Sequence, residues 1–353
     1  MKYLNFAFFL ALLIVTGCGQ NNIKLSGPKK DKTELFSLID SIALTGTDLK
    51  EVMGITVTKN NEIIVCNYNA GKVLLFDSTG RYQRDIISNE IPAFKKHKVG
   101  YPLAVTLDEK GFIYVSDNKY RRIIILNDKF QYVNSFIISG HHISPISLAV
   151  GNGTIFMGGC DKETGEYVHA YTTNGAHIRS FRKSKTDFEG LPHFSPILNY
   201  PFIYLDHDRI FSVESMDYNL TANDLKGKPL FSNNYVSDLY TSDVLTHLQS
   251  IKNDYAEVDN ELSKQFGIYG DGERLFVKHG MPTAAHPPEN YYLKRRFMLD
   301  LLNRAGEPLL QGVDTGNEDL FQLSANRALF LNCTPSGTFQ IKRYKTLKIK
   351  NVS

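Results

Sequence analysis

Six polar residues stand where chemistry is easiest to place: Asn67, Asp117, Asp161, Glu214, His279 and Asn332. Each lies at or just past the end of a short apolar run in a repeating pattern. Together they supply carboxylates, carboxamides and one imidazole, mostly oxygen donors, which is the ligand chemistry of a hard divalent cation such as Ca²⁺. A cation held by Asp117, Asp161 and Glu214 could act as a Lewis acid and activate water. The same residues have a plainer use, because Asp and Asn at strand ends hydrogen-bond nearby turn backbone and need no ligand. No motif with fixed spacing decides between the two: there is no G-x-S-x-G elbow, no H-E-x-x-H, no P-loop and no G-x-G-x-x-G opening a helix. His141 and His142 are adjacent, so an extended backbone points them to opposite faces. No cofactor is therefore expected, unless the six polar residues hold Ca²⁺.

The elements that would position these residues repeat. From Val105 to Ile137 the chain shows four β-type runs separated by turn residues: Val105 to Leu107, Phe112 to Ser116, Arg122 to Leu126 and Tyr132 to Ile137. The stretch from Ile55 to Ile87 is a second copy, with Ile63 to Cys66 over Ile113 to Ser116 and Val73 to Phe76 over Ile123 to Leu126. A repeated four-stranded antiparallel sheet predicts a propeller blade. Weaker copies continue to the C-terminus. Their second strands start at Ile63, Ile113, Ile155, Ile210, Leu275 and Leu329, spaced 50, 42, 55, 65 and 54 residues apart, in or above the propeller range. The prediction is an all-β, six-bladed β-propeller of four-stranded antiparallel blades. The isolated run Glu34 to Leu44 closes the ring as the outer strand of the last blade, which removes an open edge. Insertions fall at Asn89 to Tyr101, Ser184 to Tyr200, Tyr235 to Lys264 and Met281 to Tyr292. The third of these has helical spacing after Ser242-Asp243 and predicts a short helical insertion.

Residues 1–18 carry an early Lys, an apolar run from Phe6 to Val15 and a small-residue exit, which makes them a secretory signal peptide. The run is too short to cross a bilayer as a helix of about 20 residues. It ends Val15-Thr16-Gly17-Cys18, which resembles the bacterial lipobox, where the Cys receives a diacylglyceryl thioether and the chain is cut before it. The implied address is the cell envelope, lipid-anchored through Cys18. Gly19 after the Cys, in place of Asp, favours the outer membrane, on its periplasmic or surface side. Residues 19–32 are polar and read as a flexible tether, leaving residues 33–353 as a single propeller domain.

Composition agrees with a folded body: 42% hydrophobic and 22% charged residues with a net charge of +3. The balance of 40 basic and 37 acidic residues lacks the basic face that nucleic acid requires. Cys66, Cys160 and Cys333 remain after processing, an odd number that excludes a full disulfide framework, and Cys66 and Cys333, at equivalent ends of second strands, are read as buried free thiols rather than a bridge.

The stretches Gly54 to Gly80 and Pro102 to Asn127 resemble NHL repeats, and with the lipobox the whole chain resembles the TolB-like propeller lipoproteins of Bacteroides-type bacteria. That resemblance implies that second strands end near a central opening, which would make the six polar residues a ligand-binding set there. The resemblance speaks to fold and address more than to function, and two functions stay open: a non-catalytic binding or scaffold module for an envelope protein, peptide or glycan, or, as related six-bladed lactonases suggest, a metal-dependent hydrolase of the lactonase and esterase kind.

Overall fold

Branched and aromatic side chains pack on a pleated surface, while Asp, Asn and Gly take the tight turns, so the repeated runs fold as short antiparallel strands. The computed structural model describes residues 21–25, 30–95, 98–139, 143–161, 163–183, 200–216, 218–237, 264–282 and 295–348. They form six sheets. Blade one is Val52–Val57, Ile63–Asn67, Lys72–Phe76 and Tyr82–Ile87; blade two is Pro102–Leu107, Ile113–Asp117, Arg122–Leu126 and Tyr132–Ile137. Blade three is Ser147–Gly151, Thr154–Gly158, Glu166–Thr172 and His177–Lys183; blade four is Pro201–Asp206, Arg209–Glu214, Asn219–Asp224 and Pro229–Ser237. Blade five is Lys264–Gly270, Arg274–Pro282, Arg295–Asn303 and Pro308–Gly316. Blade six takes Asp319–Ser324, Arg327–Cys333 and Phe339–Thr346 from the C-terminus and Phe36–Ala43 from the N-terminus, paired antiparallel to the third strand. The closing strand therefore sits where the sequence placed it.

First strands contact one another in turn, and that of blade six contacts that of blade one, so the ring is closed. The core is divided into layers between neighbouring blades. Ile64, Cys66 and Val73 meet Val115 and Leu126 between blades one and two, and Val65 and Leu74 meet Leu331 and Cys333 between blades one and six. Cys66 and Cys333 thus occupy different layers, and no disulfide joins the three described cysteines. Burial pushes the Cys66 thiol far up, so it is inert.

Strand alternation sorts the connections by face. Links from second to third strand, and from each outer strand to the next blade, share one face; the remaining turns share the other. The connection Ser88 to Tyr101 and those that contain residues 184–199, 238–263 and 283–294 all belong to the first, here the loop face. The opposite face has short turns such as Asn152-Gly153. Of the insertions predicted at Tyr235 to Lys264 and Met281 to Tyr292, the ends at residues 235–237, 264 and 281–282 are strand, and the rest lies outside the described residues, as do Cys18, His141, His142 and His286.

One finding differs from the expected tether. Asn21–Leu25 pairs parallel with the outer strand of blade four, and Lys30–Asp31 pairs parallel with that of blade five. The segment is polar and lacks periodicity because an added edge strand needs only backbone partners, and outer strands present a free row of them. The arm then passes Lys32, whose ammonium lies 2.6 Å from Glu318, and enters blade six.

Candidate functional site

In blades one and two the repeat places the last residue of the second strand beside the chain entering the first strand of the same blade. In blade one this is Asn67, buried, whose Oδ1 accepts from the backbone N–H of Lys50 at 3.2 Å and of Glu51 at 3.4 Å, while Nδ2 donates to the Asp48 carbonyl at 3.0 Å. In blade two it is Asp117, fully buried, accepting from the N–H of Gly100 at 3.2 Å and of Tyr101 at 3.1 Å. Arg122 pairs with the Asp117 carboxylate at 3.4 Å and donates to the Lys98 carbonyl. Both residues are clamps: they fix the entry of their blade, satisfying buried backbone donors that otherwise cost about 1–3 kcal/mol each.

The other four predicted residues serve elsewhere. Asp161 lies beyond its strand and caps its own turn, accepting from the N–H of Glu163 at 2.8 Å and of Thr164 at 3.2 Å. Glu214 is fully buried between blades three and four, where Tyr167 donates to it at 3.0 Å and Arg182 stands 3.3 Å away. His279, also fully buried, has Nε2 3.1 Å from the Asp300 carboxylate and packs edge-on against Tyr218. Asn332 is 8% exposed, and its Oδ1 has no hydrogen-bond partner among the described residues. Among those residues no group of three or more His, Cys, Asp or Glu side chains could hold a metal ion. Asp117, Asp161 and Glu214 are instead each committed to separate backbone and side-chain partners.

What the clamps build is a surface. Asn67 and Asp117 are followed by short turns on the loop face, and these bring Tyr68 against Tyr101 with ring centroids 4.9 Å apart and planes at 21°. Lys119 lies over Tyr101 at 5.3 Å and over Tyr120 at 5.8 Å, and Arg122 lies 5.6 Å from the Tyr120 ring centroid. Tyr101 and Tyr120 are each 37% exposed, so the platform is anchored at its base and open above. Backbone bonds repeat beneath it: Tyr68 N–H to the Glu51 carbonyl at 2.8 Å, Asn118 N–H to the Tyr101 carbonyl at 2.9 Å. Gly100 is required by close approach, since a Cβ there would stand 2.4 Å from Cβ of Lys119. Exposed Lys50, Lys98, Lys119 and Arg121 on these loops outweigh Asp48 and Glu51, so the surface is cationic. Burial raises the Glu51 carboxyl and the Tyr68 hydroxyl above their ordinary ranges.

Sequence reasoning passed over these tyrosines because it looked for donors to a metal. The signal was present in the repeat, as aromatic and cationic residues directly after the clamp positions. On the opposite face a groove of about 290 Å³ between blades one and six is spanned by Arg327 donating to Asn61 at 2.8 Å and by Val57 N–H donating to Gln322 at 3.1 Å.

No family model and no curated protein matches this sequence. Solved structures do. The chain is similar to a member of the DUF4221 family from Bacteroides vulgatus, with TM-score 0.60 and 11% identity over 89% of this chain and 98% of the other. It is also similar to a candidate exported protein from Bacteroides fragilis, with TM-score 0.59 and 10% identity over 94% and 100%. A virginiamycin B lyase from Staphylococcus aureus follows, with TM-score 0.51 and 14% identity over 89% and 100%. At such identities the likeness concerns the fold.

Proposed function

We propose that this chain is a lipid-anchored, non-catalytic binding propeller of the bacterial cell envelope, and that it holds an acidic glycan on the loop face at the seam of blades one and two. The observation that carries this reading is the platform of Tyr68, Tyr101, Lys119 and Tyr120. Rigid tyrosines offer large contact area at small entropic cost, and the face of a sugar ring stacks on them. Cations around an aromatic floor select a ring that carries a carboxylate or sulfate. The envelope address rests on the signal peptide and the lipobox-like run ending at Cys18. The candidate exported protein from Bacteroides fragilis, a neighbour in fold, supports an exported location.

The test is retardation of a soluble form, Gly19 to Ser353, in gels containing uronate or sulfated polysaccharide, with a neutral glucan as control. The expected result is retardation by the acidic polymers alone. Tyr101→Ala and Lys119→Glu should each weaken it about tenfold, equal to about 1.4 kcal/mol, with melting temperature held within a few degrees. Equal mobility of all three proteins in every gel sinks the reading.

A further inference from the structure

The course of the N-terminal arm fixes where an anchor on Cys18 would leave the body. Asn21 pairs with Asn233 and Leu25 with Ser237, in parallel. The outer strand of blade four rises from the turn Leu225 to Lys228 on the short-turn face and ends at Ser237 on the loop face. The arm therefore starts at mid-height on blade four, level with Asn233, and heads away from the short-turn face towards the loop face. Cys18 precedes Asn21 by three residues, which span at most about 10 Å. That reach is too short to lift a propeller clear of a bilayer.

The surface at that exit suits lipid. Leu230 is 43% exposed on the outer strand of blade four and Ile178 is 40% exposed on that of blade three. Both lie at the short-turn ends of adjacent outer strands, joined by Arg179 donating to the Leu225 carbonyl at 2.9 Å. Lys226 and Lys228 are exposed on the intervening turn, where anionic head groups would meet them.

We propose that the acylated terminus seats the propeller on the bilayer by the rim of blades three and four at its short-turn end, with Ile178, Lys226, Lys228 and Leu230 at the lipid surface and the loop face turned away. This rests on the lipid-anchor reading above. It gives the glycan platform, on the far side of the ring, free access to polymer beyond the membrane.

The sequence contains no Trp, so one introduced indole reports its own position. The full chain is expressed with its signal, purified in detergent and reconstituted into phosphatidylcholine and phosphatidylglycerol vesicles with brominated acyl chains. Leu230→Trp and Ile178→Trp should lose fluorescence by about twofold or more, as expected for groups held at the acyl boundary. Gln83→Trp, on the outer strand of blade one across the ring, should lose none. Inserting about 20 Gly-Ser residues between Gln20 and Asn21, a spacer of about 25 Å, should abolish the difference. Intact mass separates the two failures. Absence of acyl mass on the Cys18 peptide overturns the anchor reading, whereas acylated protein quenched equally at all three positions overturns the orientation alone.

Discussion

Asp117 shows how a buried carboxylate earns its place without a ligand. It accepts two N–H bonds from the chain entering blade two, and Arg122 beside it bridges onward to Lys98. Asp117→Ala strands the buried Arg122 and the donors of Gly100 and Tyr101, and should cost roughly 3–5 kcal/mol. Asp117→Asn keeps an acceptor and should cost less. Denaturant melts with and without Ca²⁺ check this: the clamp predicts the same loss in both, and a loss confined to Ca²⁺-containing buffer would restore the metal reading. Sequence alone left both uses of Asp117 open, since a clamp and a ligand call for the same residue type at the same position. Only the identity of the atoms within 3.5 Å separates them, and the two N–H groups that define the clamp come from residues 16 and 17 positions away.

At the scale of elements, blades five and six are joined by an ion pair whose lysine is buried and whose aspartate is mostly so. Lys278, on the second strand of blade five, donates to Asp319 at the start of blade six, to Tyr269 at 3.2 Å and to the Leu320 carbonyl at 3.0 Å. Burial alone would lower the Lys278 pKa, yet Asp319 holds it above its ordinary range, so the ammonium stays charged. Lys278→Met leaves Asp319 buried without its cation and should destabilise by about 3–5 kcal/mol. Lys278→Met combined with Asp319→Leu should recover most of that loss, because two apolar groups of similar volume need no partner. A double-mutant cycle by chemical denaturation reads this coupling, and additive losses would refute it. Strand existence was legible in blades one and two from β-branched runs between turns. It was legible even where the turn chemistry changed: Phe130, at φ 63, takes the position that Gly80, at φ 84, fills in blade one. The parallel arm strands were not legible, because edge pairing through backbone leaves no side-chain period to read.

Across the whole molecule, stability depends on a ring that one segment near the N-terminus completes. Phe36 is 1% exposed in the layer between blades five and six, in contact with Phe276, Phe330 and Tyr344. Asp40 pairs with Arg343, and Lys32 with Lys342 and Tyr344 gathers on Glu318. Burial alone would raise the Glu318 carboxyl, but its two lysines and Tyr344 hold it below the ordinary range. Six blades and their closure could be counted from spacing because each blade repeats one local pattern. The side chains that bind the ring shut could not, since they join residues about 300 positions apart. Closure makes two deletions behave differently. Removing residues 1–20 leaves every described strand in place and should leave the melting temperature unchanged. Removing residues 1–43 strips Phe36, opens the edge of Phe339–Thr346 and parts blade six from its outer strand, which should cost well beyond the roughly 3–5 kcal/mol of a Phe36→Ala change. Calorimetry with size-exclusion chromatography distinguishes them: the longer deletion should aggregate or lose its cooperative transition, and a monomeric, cooperatively melting product would show that the ring does not need its closing strand.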